Sequence, residues 1–331
     1  MGETRRDTRP PVEETDRRPD PVLESAAGAA RFAPSIHNTQ PWHWIIDGDT
    51  LRLRAERDRQ LSGTDPSGRM LTISCGTALH HVTTAIAGQG WRPEVDRFPD
   101  ADDPELLAAV TLGPIRPNHA ADTEMFGALT RRHTDRRPLR MPPPGPDVLE
   151  EIRSTADRDG SHVYVLRPDQ LVTLAAAATT ARDLDLADAA RRRELEEWVG
   201  PHRPESAGVP GSTFPERLGE DNVVPRFPAP EHSGGMPGRD TDSAARFLVL
   251  FTDTDDPPAW LRAGETLSRA WGAATMRDLA VMPISSVVEL EAARAHLYRI
   301  LSHVGHPQFV VRLGHPDARQ PEPARTERLD T

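Results

Sequence analysis

Residues 31–44, RFAPSIHNTQPWHW, separate a helix-like run of small residues from an aromatic segment that is typical of a strand. Pro34 and Pro41 exclude a regular helix here, because proline lacks an N–H donor and restricts the residue before it. The backbone N–H groups and short polar side chains between the two prolines therefore lack helical partners. We expect this loop to be free to hold a ligand.

The segments around the loop predict one compact unit that ends near residue 118. Apolar spacing, proline and turn residues mark where each element begins and ends. The predicted elements are a helix over 20–33 that begins at Asp20-Pro21, a β-hairpin over 42–55 with its turn at Asp47-Gly48-Asp49, a long apolar helix over 65–90, and two strands within 91–114.

A second unit follows, in which strands again mix with long apolar helices, so we expect an α+β or α/β fold built in layers. Its predicted elements are a helix within 121–139 that runs into an Arg-rich turn, helices over 142–158, 169–199 and 288–305, a long helix from residue 258 that ends in a loop interrupted by Pro283, and strands over 161–166, 245–253 and 307–316. Residues 200–242 are rich in Gly and Pro without periodicity, which is typical of a lid or a disordered insertion.

Composition narrows the class of protein. The 331 residues carry a net charge of −11, which argues against a nucleic-acid or anionic-membrane partner. No apolar run approaches the roughly 20 residues that cross a bilayer.

Residues 1–20 are charged and Pro-rich, so we expect a disordered arm rather than a secretory signal. The single cysteine, Cys75, forms no internal disulfide and fits a reducing compartment, which predicts a cytoplasmic protein.

The basic residues are unusual, since all 40 are arginine and lysine is absent. This excludes Schiff-base chemistry, a P-loop lysine and a pyridoxal-phosphate mechanism. The sequence also lacks a G-x-G-x-x-G or G-x-S-x-G motif of a dehydrogenase or hydrolase. Any bound anion must therefore be held by guanidinium groups and backbone N–H groups.

Three further segments carry candidate binding residues. In RRHTDRRP, residues 131–138, four arginines crowd around Thr134 and repel one another unless solvent or an anion relieves them; a solvated basic helix end is the alternative. In AVMPISSVVE, residues 280–289, two serines follow Pro283, and a simple turn between helices explains them equally well. Arg312 leaves a buried-type strand in PQFVVRLGHP, where a snorkelling arginine is the alternative.

Together these segments resemble the FMN-dependent nitroreductase superfamily. PSIHNTQPW is similar to its P-S-x-x-N-x-Q-P-W loop, RHTDR to its R-[HR]-[ST]-x-[KR] start, and MPIS and PQFVVRLG to its flavin-edge loop and last strand. The chain looks most like the double-length, Acg-like branch, in which one polypeptide mimics a homodimer. The resemblance implies a three-layer α/β/α sandwich of two pseudo-repeated halves, residues 21–120 and 121–331, with a lid at about 200–242.

The resemblance also implies roles for particular residues. Arg132, Thr134 and Arg136 would hold the FMN phosphate and ribityl chain, with Arg312 as a further phosphate partner. Ser35, Ile36 and Asn38 would contact the flavin from the opposite half, while Ser285 and Ser286 would present N–H groups near its N5 edge. The remaining members of the implied cofactor site are Pro34, Gln40, His133 and Pro283. Each motif occurs once, so we expect one flavin site per chain and no need for a partner subunit.

The expected activity is hydride transfer from NAD(P)H through the flavin to a nitroaromatic, a quinone or a similar small molecule. Two alternatives stay open: a protein that sequesters FMN beneath a lid, and a dedicated flavin-dependent biosynthetic dehydrogenase. We predict no metal site, because the cluster of His296, His303, His306 and His315 lacks a completing carboxylate or cysteine. The adjacent His80 and His81 are expected on different faces of one helix and so in different sites.

Overall fold

The computed structural model describes residues 19–117, 119–158, 160–213, 242–319, 322–323 and 325–329. Almost all of the expected N-terminal arm, residues 1–18, and residues 214–241 of the expected lid lie outside these ranges. No helix among the described residues is long and apolar enough to cross a membrane.

The first unit forms an antiparallel sheet in the order β1-β2-β4-β3, covered on one face. Exposure alternates along β2 and β3, with Leu51 and Leu53 buried, which is typical of a sheet with one solvated face. The expected hairpin and helices are confirmed. The elements are α1 (Pro19–Ala29), β1 (Trp42–Asp47), β2 (Thr50–Ala55), α2 (Arg69–Gly88), β3 (Trp91–Arg97) and β4 (Leu106–Ile115).

The second unit contains a five-stranded antiparallel sheet in the order β5-β9-β7-β6, with β8 also paired to β9. Residues of both faces of β7 and β9 are buried, so helices cover this sheet on both sides and complete three layers. The elements are α3 (Ala120–Arg131), β5 (Leu139–Arg140), α4 (Pro146–Ala156), β6 (Ser161–Val165), α5 (Leu171–Ala187), α6 (Ala189–Trp198), β7 (Arg246–Thr252), α7 (Pro257–Met276), β8 (Ala280–Ile284), α8 (Ser286–Glu289), α9 (Glu291–Ile300) and β9 (His306–Pro316).

Three expectations about these elements are wrong in detail. One is the helix expected over 288–305, which is divided at Leu290 because the backbone of that residue is extended between α8 and α9. The single helix expected over 169–199 is two helices, because Asp188 leaves helical geometry and its carboxylate caps the N–H groups of Ala190 and Arg191. The expected loop at 280–284 is strand β8, which pairs with β9 and with no other strand in the described part of the chain. Pro283 is tolerated there because a strand at the edge of a sheet needs fewer N–H donors.

Helices α2 and α7 pack against each other and join the two units, since α2 also contacts the first sheet and α7 the second. His80 and His81 of α2 meet at this contact, contrary to expectation. The Oγ of Ser268 on α7 lies 2.8 Å from Nδ1 of His80 and 3.2 Å from Nδ1 of His81. Two neighbouring side chains share one site here because a hydroxyl of the other helix lies between them.

Candidate functional site

A cleft lies where the two units meet, with a free volume of about 1380 Å³ that includes its part open to solvent. Its walls come from the proline-bracketed loop, α2, α7, the segment after α3, the turn after β8 and the C-terminal residues 325–328. Ten of the thirteen expected site residues line it: Pro34, Ser35, Ile36, Asn38, Arg132, His133, Thr134, Arg136, Pro283 and Ser285.

The other three expected residues lie elsewhere. Gln40 is buried behind the loop, where its side chain contacts other segments of the chain. Ser286 lines a smaller side chamber that shares Pro283 and Ser285 with the cleft. Arg312 is buried in β9 opposite Met282 and is not among the residues that line the cleft.

The backbone of the loop is held by α2 and by the loop itself. The Ile36 N–H donates to Ser74 Oγ at 3.1 Å, and Thr77 Oγ1 donates to the Pro34 carbonyl at 2.5 Å. The Gln40 N–H donates to Ser35 Oγ at 2.9 Å. The expectation that these N–H groups are free to hold a ligand is therefore wrong, because local bonds replace the helical ones that the prolines remove.

Three loop residues have left-handed backbone geometry: His37 has φ 41°, Asn38 has φ 57° and Gln40 has φ 50°. Such values cost about 1–3 kcal/mol for residues other than glycine, and they persist only when the surroundings impose them. Burial lowers the pKa of His37 to about 4, so its imidazole is neutral near pH 7. The loop presents a neutral, rigid wall to both the cleft and the side chamber.

The Arg132 side chain joins the two units at the cleft floor. Its Nε and Nη2 donate to the Phe32 carbonyl at 3.1 and 2.6 Å, and its guanidinium lies 4.7 Å from the ring centroid of Trp271. Only 6% of the residue is exposed, and burial holds its pKa well below the usual range. Arg132 therefore contributes both structure and positive charge to the cleft.

The neighbouring arginines of RRHTDRRP separate rather than crowd. Arg131 is exposed on α3, and Arg137 binds the Asp135 carboxylate at 2.6 Å. Burial alone would raise the pKa of Asp135, but the imidazole of His133 at 3.6 Å and the hydrogen bonds from Arg137 outweigh it and hold that pKa well below the usual range. The Asp135 N–H also donates to Val281 O at 2.9 Å. Arg136 is thereby placed in the cleft, next to the turn after β8.

The lining of the cleft is cationic. Among the described residues it includes no carboxylate, but it includes the arginines Arg132, Arg136, Arg325 and Arg328. In a chain with net charge −11, this distribution favours an anionic ligand. Arg325 and Arg328 were not among the expected site residues, although two arginines in a Pro-rich, lysine-free segment are a weak signal for an anion site.

Part of the wall is apolar and includes Met70, Ile73, Leu267, Trp271 and Phe309, while hydroxyl side chains such as those of Ser74, Thr77 and Thr130 line another part. An apolar surface with a small number of polar and charged groups is typical of a site for a small molecule. No three His, Cys, Asp or Glu side chains among the described residues are grouped as a metal site.

The side chamber is bounded by a buried ionic cluster. Arg191 donates Nε to Asp185 at 2.6 Å and Nη2 to Glu289 at 2.9 Å, and its Nη1 donates to the carbonyls of Gly63 and Thr64. Burial raises the pKa of both Asp185 and Glu289. The cluster fastens α6 to the first unit and so fixes one side of the site.

Comparison with known proteins identifies relatives over most of the chain. The acg protein of Mycobacterium tuberculosis H37Rv, provisionally named an NAD(P)H nitroreductase, is 34% identical over 313 residues that cover 93% of each chain. The Rv3131 protein of the same strain, named in the same way, is 37% identical over 308 residues, 88% of this chain and 86% of the relative. No model of a protein family matches the chain.

A solved nitroreductase with bound FMN from Bacteroides fragilis aligns with 61% of this chain and 94% of its own, at 12% identity and a TM-score of 0.40. The relationship to the mycobacterial proteins is far stronger. The chain belongs to the nitroreductase family of these mycobacterial proteins.

Proposed function

We propose that the protein is an FMN-dependent NAD(P)H oxidoreductase of nitroreductase type. The observation that carries the proposal is the cleft between the two units, which is lined by four arginines and by no described carboxylate. A phosphate ester in a lysine-free protein requires guanidinium groups of this kind. The names of the mycobacterial relatives and the bound FMN of the solved nitroreductase agree with this assignment.

The residues present fit FMN. Arg136, Arg325 and Arg328 provide positive charge for the phosphate, while Met70, Ile73 and Trp271 offer an apolar surface for the flat ring. Pro34, Ser35 and Ile36 approach from the first unit, and Pro283 and Ser285 from the turn after β8. A site shared in this way forms only when both units are packed together.

Bound FMN would supply hydride acceptance and donation between NAD(P)H and a small acceptor such as a nitroaromatic or a quinone. The protein's contribution is to orient the ring, to surround it with fixed dipoles and to exclude water. Ser285 offers a hydroxyl group for the reactive edge, and it is one of four residues that line both the cleft and the side chamber. The neutral His37 lies at the same junction.

We propose one such site per chain. Thr77 and Glu265 are both the ninth residues of their helices, α2 and α7, but only Thr77 lines the cleft. Glu265 instead accepts bonds from Arg97 at 3.0 and 2.9 Å and from Arg269 at 3.2 Å. This ionic group fills the position that a symmetrical second site would need, so an FMN titration should end at one equivalent.

An FMN-sequestering protein is the second candidate, because two segments lie over the binding loop. The described part of the expected lid contacts it through Gly208, whose N–H donates to Asn38 O at 3.3 Å. The C-terminal residues contact it through Glu327, whose carbonyl accepts from Asn38 Nδ2 at 3.2 Å. Both contacts restrict access to the cleft.

Anaerobic addition of NADH or NADPH to the FMN-loaded protein distinguishes the two candidates. An oxidoreductase loses its flavin absorbance within the time of mixing and regains it when a quinone is added. A sequestering protein is bleached by dithionite but not by either nicotinamide. Mass spectrometry of the denatured protein tests the cofactor itself, and a protein that neither carries nor takes up FMN would refute both candidates.

A further inference from the structure

Residues 325–329, called the C-terminal strap below, line one side of the cleft through Arg325, Thr326 and Arg328 and are held by two side-chain amides of the loop. Asn38 Oδ1 accepts from Arg328 Nη1, and Asn38 Nδ2 donates to Glu327 O at 3.2 Å. Gln40 Oε1 accepts from the Leu329 N–H at 3.0 Å. The same two side chains donate to Gly208 O and Ser206 O, both at 3.0 Å. The loop therefore binds two segments that are distant in the sequence, the strap and residues 206–208.

Two further contacts hold the first and the middle residue of the strap. Arg325 Nη1 donates to the Thr130 carbonyl at 3.3 Å, at the end of α3. The Glu327 carboxylate pairs with Arg203 at 3.1 Å, on the described part of the expected lid. All of these contacts are hydrogen bonds or a surface ion pair, and no described residue of the strap belongs to a helix or strand. Such a segment opens more readily than the packed core.

The strap brings Arg325 and Arg328 beside Arg132 and Arg136. Like charges this close repel one another in a partly buried cleft, and an anion between them removes the repulsion. Burial, together with the charges of Arg328 and Arg325, holds the pKa of Arg132 well below its usual range, which reflects this electrostatic cost. Closure of the strap is consequently more favourable when the cleft holds an anion.

We propose that the C-terminal strap is a latch whose closure is coupled to the phosphate group of the bound cofactor, an inference that rests on the proposed function. Phosphate binding stabilises the closed strap, and the closed strap slows cofactor release. The coupling is reciprocal, as linkage requires. The amides of Asn38 and Gln40 act as the clasp rather than as contacts to the flavin.

FMN and riboflavin provide a matched pair of probes, because they share the ring and differ in the phosphate. Hydrogen–deuterium exchange of the C-terminal peptide should slow at least threefold with saturating FMN and by little with saturating riboflavin. Equal protection by the two ligands would overturn the coupling. Inorganic phosphate alone should give partial protection of the same peptide.

The variant Gln40→Leu weakens the clasp without altering a residue that lines the cleft. FMN should dissociate from it about 10-fold faster, the loss expected for two ordinary hydrogen bonds, while riboflavin release changes less than twofold. Arg203→Gln, which breaks the surface pair with Glu327, is a milder second variant should Gln40→Leu fail to fold. Arg319→Gln is the control, since Arg319 is 87% exposed and pairs with Asp317.

The two proposals fail in different ways. Wild-type protein that takes up no FMN would refute the proposed function. In that case, hydrogen–deuterium exchange of the strap with and without inorganic phosphate would still test whether a phosphate group stabilises its closed state. Protein that binds FMN tightly, but releases it at the same rate from wild type, Gln40→Leu and Arg203→Gln, would overturn the latch and leave the proposed function standing.

Discussion

Gly76 of α2 and Gly264 of α7 lie against each other where the two long helices cross. A Cβ added to Gly76 would overlap the Leu261 carbonyl and lie 3.0 Å from the Gly264 Cα. A Cβ added to Gly264 would overlap the Ile73 carbonyl and lie 2.8 Å from the Gly76 Cα. Each glycine is the eighth residue of a 20-residue helix, so the contact is nearly self-complementary.

This near-symmetry is the arrangement that a contact between two identical subunits would have. In an isologous contact the same positions meet from both sides, as Gly76 and Gly264 do. His80 and Ser268, both the twelfth residues of their helices, bond at the next turns. The pseudo-repeated halves are therefore joined as two subunits would be, and the cleft forms beside the joint.

The variant Gly76→Ala should destabilise the protein by about 3 kcal/mol or more, because the backbone of α7 cannot move aside as a flexible side chain would. Urea denaturation measures the loss. Gly28→Ala is the matched control: a Cβ there meets nothing within 4 Å, and alanine favours the helix, so its stability should be unchanged or slightly raised. Equal stability of the two variants would contradict the close contact.

The variant Arg136→Gln should lower FMN affinity by 10-fold or more and leave riboflavin affinity within twofold. The physical reason is loss of a charge-assisted contact to the phosphate, worth about 1.5–3 kcal/mol. Fluorescence titration with both ligands measures the difference. Arg131→Gln, an exposed position in the same segment, is the control. An equal loss of affinity for FMN and riboflavin would place Arg136 at the ring or in the fold rather than at the phosphate.

Much of the fold could be predicted from the sequence because its elements are locally encoded. The hairpin has an Asp-Gly turn, and α2 and α7 are long apolar runs, although α7 ends at Met276, seven residues before Pro283. Strand β8 was missed since Pro283 is usually a helix breaker, and only the pairing with β9 makes it a strand. The break at Asp188 depends on a single capping side chain within an otherwise helical pattern.

The site was predictable only in part, because its contacts are non-local. The resemblance located ten residues of the cleft, but it could not show that Asn38 and Gln40 bind segments about 170 and 290 residues away. It also placed Arg312 at the phosphate, whereas the structure brings Arg325 and Arg328 to the cleft. Loop and tail contacts of this kind leave no periodic pattern in the sequence.

Acid should destabilise the protein through His81. Burial and the charge of Arg132 lower the pKa of His81 to about 3, below the 6.5 of an unfolded histidine, so the native state binds fewer protons. Its contribution to stability is complete above pH 6.5 and is lost as the pH falls from 6.5 towards 3. The loss from this group is about 2 kcal/mol between pH 7 and pH 5.

Urea denaturation at pH 7, 6 and 5 gives the free energy of unfolding of wild type and of His81→Gln. The difference between the two proteins at each pH measures the contribution of His81, because carboxylates that titrate in both proteins contribute equally and cancel. Stability of the wild type should fall more steeply with acid than that of the variant. His43→Gln on β1 is the control at an exposed position. Parallel pH profiles for wild type and His81→Gln would show that His81 is not held neutral by the fold.

The last prediction concerns the contribution of the Arg191 cluster to stability. Its three side chains, Arg191, Asp185 and Glu289, are each at most 7% exposed. Arg191→Met leaves two buried carboxylates without a cation, which should cost about 3–5 kcal/mol at pH 7. The pKa values of Asp185 and Glu289, already raised by burial, rise further in the variant. Its native state then binds more protons than its unfolded state, so the deficit should shrink as the pH falls.

A neutral version of the cluster separates charge from packing. Arg191→Met combined with Asp185→Asn and Glu289→Gln should recover much of the stability at pH 7, because no buried charge is then left unpaired. Arg193→Met is the control, since Arg193 is exposed on the same helix. The triple variant could instead be as unstable as Arg191→Met. That result would show that α6 is attached to the first unit by the hydrogen bonds from Arg191 to the Gly63 and Thr64 carbonyls rather than by its charge.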